Sequence, residues 1–458
     1  MNIFLLSSFF LLSLFIESDF EIQYAKWDEN KIIESFKNTA IEVEASFGEN
    51  METFKLILDT GTQAMVLPGV ELKDSGDFKR YDISSKTFEK LENIPSYPNE
   101  NYYSGTFGKD IFKLGNSETL KKKISFYVAN KYNNIFNPYK YAFIGLKNFV
   151  NGEESKFNII EQMKENDLIS NTTWFLDFNS DTKGKFVIGL LPHLAYNDKY
   201  NENNMYKYKT HTSFTYALKF QEIYYGKVEK YDNRTSGEPQ YTTIKFNINS
   251  RLIQCTSDFG NILYNKFFKK QIENKICKEG TLNIYSDEYK YFNCEKNKLN
   301  LNEMENINFL TDIQSDNMTF VLEPKDLFYE HKGLLYFLVI YKIENPLTTP
   351  DTEWVVGTPF LKKYLITFDR NDKLIYFYKK INNENEGDKN NNKSLQVKYI
   401  IIISVLSVIF LAAIGGLIFY IIKIKPRRKK ANELDEKFDY QEKNNEEGNS
   451  ALINDDNN

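Results

Sequence analysis

Histidine and cysteine are scarce in this chain, at three each among 458 residues. The histidines, His193, His211 and His331, stand in unrelated contexts and read as surface or structural side chains, so no metal and no cofactor is expected. A surplus of positive charge is also missing. The net charge is −5, which speaks against a nucleic-acid partner. Long helical periodicity is rare, with "KFNIIEQMKEN" (156–166) and "ILYNKFFKKQIENKI" (262–276) the main candidates. Between residues 40 and 380 the chain runs instead in short stretches broken by turns. With 37 Phe and 31 Tyr, that pattern predicts a mostly β protein. The length is too great for one ordinary core and predicts two domains or one two-lobed unit.

Long apolar runs are limited to two. The first, Ile3 to Ile16, is too short to span a bilayer and reads as the core of a signal peptide over residues 1–18. The second, "YIIIISVLSVIFLAAIGGLIFYII" (399–422), carries no charge and has the length of a transmembrane helix. "KIKPRRKK" follows it, and positive charge gathers on the cytoplasmic side. The expectation is a single-pass type I membrane protein of the endomembrane system or plasma membrane. Its large segment is luminal or extracellular, residues 381–398 form a disordered stalk, and 423–458 form an acidic cytoplasmic tail. Acceptor triplets for N-glycosylation at Asn171, Asn233, Asn317 and Asn392 all fall on the luminal side. In that compartment three cysteines suggest one disulfide and one leftover thiol. Cys277 and Cys294 are spaced to close a short loop, and Cys255, between apolar neighbours, reads as a buried free thiol.

The chain also repeats itself. "LILDTGTQAMVLPG" (56–69) runs a strand into Asp59 and turns at once through Thr60, Gly61 and Thr62. "LIQCTSDFGNILYN" (252–265) again runs a strand into Asp-x-Gly, at Asp258, Phe259, Gly260 and Asn261. Each is followed later by an apolar pair and a glycine, first "AFIGL" (142–146) and then "WVVGTPFL" (354–361). Self-similarity on this scale predicts two lobes of like fold.

From Val43 to Lys380 the chain resembles the pepsin-like aspartic proteases. The likeness rests on "FKLILDTGT…VLPG", "YDISSKTF", "YPNENYYSGTFGKD", "FIGL", "TTWFLDFNSDTKGKFVIGLLP" and "WVVGTPFLKKYLITFDRNDKLIYFYKK", in that order. The resemblance implies a bilobed β domain over residues 39–380, with an N-lobe of about 39–195 and a C-lobe of about 196–380. Residues 19–38 would be a short pro-like or linker segment, in which Lys26 or Lys31 could plug the site. One aspartate from each lobe, Asp59 and Asp258, would meet in a central cleft. Two carboxylates that close share a proton, so one activates a water and the other hydrogen-bonds the peptide carbonyl. A flap tyrosine, Tyr97 or else Tyr102 or Tyr103, would cover the cleft, and Cys277–Cys294 would be the C-lobe disulfide. The implied partners are peptide or protein substrates, met by a monomeric ectodomain.

The sequence departs from the family at Phe259, where a Thr ties the two loops together, at Asn261, which replaces a Ser or Thr, and at Val66, which replaces a Trp. Two readings stay open: an aspartic endopeptidase, or a weak or inactive relative that binds peptides.

Overall fold

Alternation of side chains makes the strand Thr39–Phe47. Ile41, Val43, Ala45 and Phe47 point inward, and Glu42, Glu44 and Ser46 point away from the core. In the next strand, Glu52–Asp59, the pattern changes to a continuous buried run, Leu56 to Asp59. A run buried on both faces marks a central strand beside a parallel partner, which here is Ala142–Gly145. The computed structural model describes residues 15–379, apart from 25–31, 37–38, 73–78, 93–102, 116–121, 133–141, 149–156, 212–214, 228–241, 285–286, 312–317 and 344–352.

Among the described residues the fold is mostly β, in two large sheets of 13 and 11 strands. The first sheet belongs to the N-lobe but also takes in Met205–Lys209 and the last two strands, Leu365–Asp369 and Leu374–Tyr378. The second spans Ala217–Tyr225 to Glu353–Val356 and is the C-lobe's own. The end of the chain thus crosses back and ties the lobes together through Thr367↔Phe175 and Phe368↔Trp174. Trp174 donates its indole N–H to the Tyr216 hydroxyl at 3.1 Å and stacks on Phe368 at 4.5 Å.

The same four-strand device occurs once in each sheet. In the first, Glu52–Asp59 runs parallel to Ala142–Gly145, which runs antiparallel to Val66–Pro68, which runs parallel to Lys122–Tyr132. In the second, Thr242–Phe246 runs parallel to Glu353–Val356, which runs antiparallel to Ile253–Cys255, which runs parallel to Val339–Lys342. The duplication expected from the sequence is therefore present in the topology, but its second copy starts at Thr242, ahead of the strand that precedes Asp258.

Residues 16–24 and 32–36 are part of this fold. Ile16–Tyr24 is a strand between Lys183–Ile188 and Thr39–Phe47, with Ile16 opposite Ile188. A signal peptide ending at 18 would take in the start of this strand, and the pro-like segment drawn over 19–38 holds the rest of it. The short helix Ile32–Phe36 buries Ile33 and Phe36 against Leu252, Leu338 and Ile340. Residues 1–14, Lys26 and Lys31 lie outside the described residues, as do the stalk, the 399–422 run and the tail. Among the described residues no helix is long and apolar enough to cross a membrane.

Cys277 and Cys294 face each other across an antiparallel strand pair and are joined as a disulfide, and Cys255 is a buried free thiol. Of the glycosylation candidates only Asn171 is described. Its side-chain oxygen accepts from the Thr173 amide at 3.1 Å.

Candidate active site

The strand Glu52–Asp59 delivers Asp59 into a nearly closed position, 5% exposed. The chain then reverses through Thr60 and Gly61, and the Gly61 N–H donates to Asp59 Oδ1 at 2.8 Å. Burial pushes the Asp59 carboxyl above the ordinary carboxylate value. The Gly61 amide pulls the other way, as do the nearby Thr62 hydroxyl and the Lys147 charge. The Thr62 hydroxyl lies close enough to favour the ionised form but makes no hydrogen bond of ordinary geometry.

The loop is braced from behind. Gly145 sits opposite Asp59 because a Cβ there would meet the Gln63 backbone at 2.5 Å. Asn158, fully buried, caps the helix Ile159–Glu165 with its side-chain oxygen. Its Nδ2 donates to Gln63 O and to Gly145 O, each at 3.2 Å. Lys147 N–H donates to Thr62 O at 2.8 Å, and the Lys147 carbonyl accepts from Arg370 Nη1. Arg370 is held in turn by Glu161, with Nε to Oε1 at 2.7 Å.

The second copy of the device identifies the facing loop. Asp59 pairs with Gly145 and Leu58 with Ile144. In the C-lobe Phe246 pairs with Val356, so the next residues along are Asn247 and Gly357. The following strand agrees, for Val66 lies opposite Phe143, and Gln254 opposite Val355, at the same offsets. The turn agrees as well, since the Asn249 N–H donates to Asn247 Oδ1 at 2.9 Å, as Gly61 does to Asp59. Thr358 N–H donates to Ser250 O at 2.8 Å, one position nearer its glycine than Lys147, which donates to Thr62 O. A Cβ on Gly357 would meet Ser250 O at 2.1 Å, so this glycine makes room for the loop as Gly145 does. Asp59-Thr60-Gly61-Thr62 therefore has Asn247-Ile248-Asn249-Ser250 as its counterpart. The two loops touch directly, with Asn249 Nδ2 at 3.5 Å from Asp59 Oδ1, a long hydrogen bond.

This corrects the placing of Asp258. Thr256 caps a helix that begins at Ser257, its hydroxyl oxygen accepting from the Phe259 N–H at 3.4 Å. Asp258 is exposed in the first turn, where a negative charge suits the helix dipole. Phe259 is buried against Trp354, with ring centroids 4.9 Å apart. Gly260 is there for close packing rather than a turn, because a Cβ would stand 2.1 Å from the Tyr341 ring. Asn261 is exposed on the same helix. None of the four belongs to the loop that faces Asp59.

A profile of the eukaryotic aspartyl protease family matches residues 41–380. The chain belongs to this family. Aspartic endopeptidase activity is the activity of the family in general, and it requires a carboxylate from each lobe. In this aspartyl-protease relative the first loop reads Asp59-Thr60-Gly61, and the residues at the corresponding positions of the second copy are Asn247, Ile248 and Asn249. The flap candidates Tyr97 and Tyr102 lie outside the described residues, and Tyr103 opens the strand Tyr103–Leu114. Val66 is buried among Phe143, Tyr127 and Phe107. His193 is bonded to the Tyr378 hydroxyl at 2.9 Å, away from the loops. Among the described residues no cluster of His, Cys, Asp or Glu has the make-up of a metal site.

Sequence reading missed Asn247, Asn249, Asn158 and Arg370. A signal against Asp258 was present, however. "TSDFGNIL" has the form of a helix start, with a Thr cap, an acidic first turn, and Phe259 and Leu263 at helical spacing.

Proposed function

We propose that this family member binds peptides in its interlobe cleft and does not hydrolyse them by the two-carboxylate route. The observation that carries the proposal is the pairing of Asp59 with a loop whose corresponding residue is Asn247. Asp59 alone can accept a proton from water. Asn247 is neither an acid nor a base near neutral pH, so no second group holds the proton that the carbonyl oxygen and leaving amine need. Loss of a positioned acid or base costs about 10²–10⁴ in rate.

What supports binding is the pair of loops that meet at Asp59 and Asn249 and the two large sheets that carry them. A peptide would lie extended between the lobes, its backbone bonded to strand edges and its apolar side chains in aromatic-lined pockets. The sequence supports placing this cleft on the luminal or outer side of a membrane, tethered as a monomer by the 399–422 run.

The test is incubation of the full-length chain with an unfolded protein substrate at acidic pH, beside a peptide-binding titration. Binding without cleavage supports the proposal. Cleavage that disappears in Asp59→Ala contradicts it, and the complete first loop is what favours that second reading.

A further inference from the structure

Asn249 adds something that the loss of a carboxylate does not require. The first loop has glycine at the corresponding position, Gly61, and a Cβ there would stand 3.2 Å from Asp59 Oδ1. The third residue of such a loop therefore points any side chain it has at the space beside the loop's own carboxyl group. In the second loop that residue does have a side chain. Its backbone N–H is bonded to Asn247 Oδ1 at 2.9 Å, and its Nδ2 ends 3.5 Å from Asp59 Oδ1. The carboxamide thus starts beside one catalytic position and ends on the other. Its backbone carbonyl is fixed too, accepting from the Thr39 N–H at 2.8 Å. Its Oδ1 is buried with no hydrogen-bond partner among the described residues.

We infer that Asn249 is a built-in plug, its carboxamide taking the place on Asp59 that a dyad gives to the attacking water or to a ligand hydroxyl. The inference rests on the same matching of loops as the proposed function, but it makes a separate claim about ligands. A cleft plugged this way accepts ordinary extended peptides and gains nothing from a hydroxyl that mimics the tetrahedral intermediate. Its preference is the reverse of a working dyad's, which binds transition-state mimics more tightly than substrates.

The first test measures access to Asp59 without any peptide. A small epoxide esterifies a carboxylate: the carboxylate oxygen bonds to a ring carbon, the ring C–O bond breaks, and the alkoxide takes a proton from water. Labelling of Asp59 in the full-length chain is followed by mass spectrometry in the unmutated protein, Asn249→Gly, Asn249→Ala and Asn249→Gln. The plug predicts labelling about tenfold faster or more in Asn249→Gly and Asn249→Ala, and slow labelling retained in Asn249→Gln. Equal rates in all four proteins overturn it.

The second test compares a statine peptide with the same peptide lacking the statine hydroxyl. The unmutated chain should bind both within about twofold, and Asn249→Gly should favour the hydroxyl form by about tenfold. A hydroxyl preference already present in the unmutated chain overturns the plug. Failure of both peptides to bind either protein overturns the peptide-binding function, and the epoxide rates then decide the plug by themselves. Cleavage of substrate by the unmutated chain overturns both, since a plugged Asp59 holds no water.

Discussion

Asn247 stands to Gly357 as Asp59 stands to Gly145. Asp59 and Gly145 are the last pair of the first parallel ladder, and Asn247 and Gly357 follow directly on the last pair of the second, Phe246 and Val356; each loop's third residue donates its N–H to the first residue's side chain. An aspartate and an asparagine thus occupy equivalent places in the two lobes. The chemistry of the cleft follows from that difference of one oxygen for one NH₂.

Stability should report the buried carboxyl. Burial raises the Asp59 pKa above its unfolded value, so the neutral form is preferred in the fold. That stability is fully present below the unfolded pKa and is lost as pH rises through the folded pKa. Asp59→Asn removes the titration and keeps an oxygen for the Gly61 N–H, as Asn247 does for Asn249. The variant should melt above the unmutated protein at about pH 7, and the gap should close below about pH 4, under the ordinary carboxylate range. Calorimetry of both proteins across that span checks it. A constant gap, or a less stable variant at neutral pH, contradicts it.

Phe259 should behave as a core residue. It is packed on Trp354, so Phe259→Ala should lower unfolding free energy by about 3–5 kcal/mol. Its exposed neighbour should matter little, Asp258→Ala staying within about 0.5 kcal/mol. Chemical denaturation of the two variants separates the cases. Comparable losses at the two positions would count against the helix assignment.

Asn158 should hold the Asp59 loop in place. Asn158→Ala strands two buried carbonyls, Gln63 O and Gly145 O, and removes a helix cap. The expected loss is about 2–4 kcal/mol. Asn158→Asp keeps the cap but turns a buried carboxylate oxygen toward the two carbonyl oxygens, so it should cost at least as much as Asn158→Ala. Urea midpoints for the three proteins give the order, and a neutral Asn158→Ala would remove this residue from the account.

Much of this was legible in the sequence. The alternation in Thr39–Phe47 and the buried run into Asp59 follow from side-chain type, and so do the two apolar-apolar-Gly strands. The Cys277–Cys294 pairing was readable from spacing and family resemblance. The second loop was not legible, for a physical reason. Backbone register and a packed glycine define it, whereas its four side chains, Asn247-Ile248-Asn249-Ser250, share almost nothing with Asp59-Thr60-Gly61-Thr62. Meanwhile Asp258-Phe259-Gly260 imitates the motif for unrelated reasons, an acidic first helical turn followed by a glycine under Tyr341. Contacts between distant segments, such as Asn158 to Gln63 and Arg370 to Lys147, leave no local pattern to read.

The central claim is that Asn247, and not Asp258, is the partner of Asp59. The most direct measurement is acid-dependent cleavage of an unfolded substrate by the full-length chain, by Asn247→Asp/Asn249→Gly, and by that double variant carrying Asp59→Ala or Asp258→Ala. The account predicts no cleavage by the unmutated chain from about pH 3 to about pH 7, and cleavage by the double variant higher by about 10²-fold or more. That gain should vanish with Asp59→Ala and survive Asp258→Ala. Cleavage by the unmutated chain, or loss of the double variant's gain on adding Asp258→Ala, would contradict it.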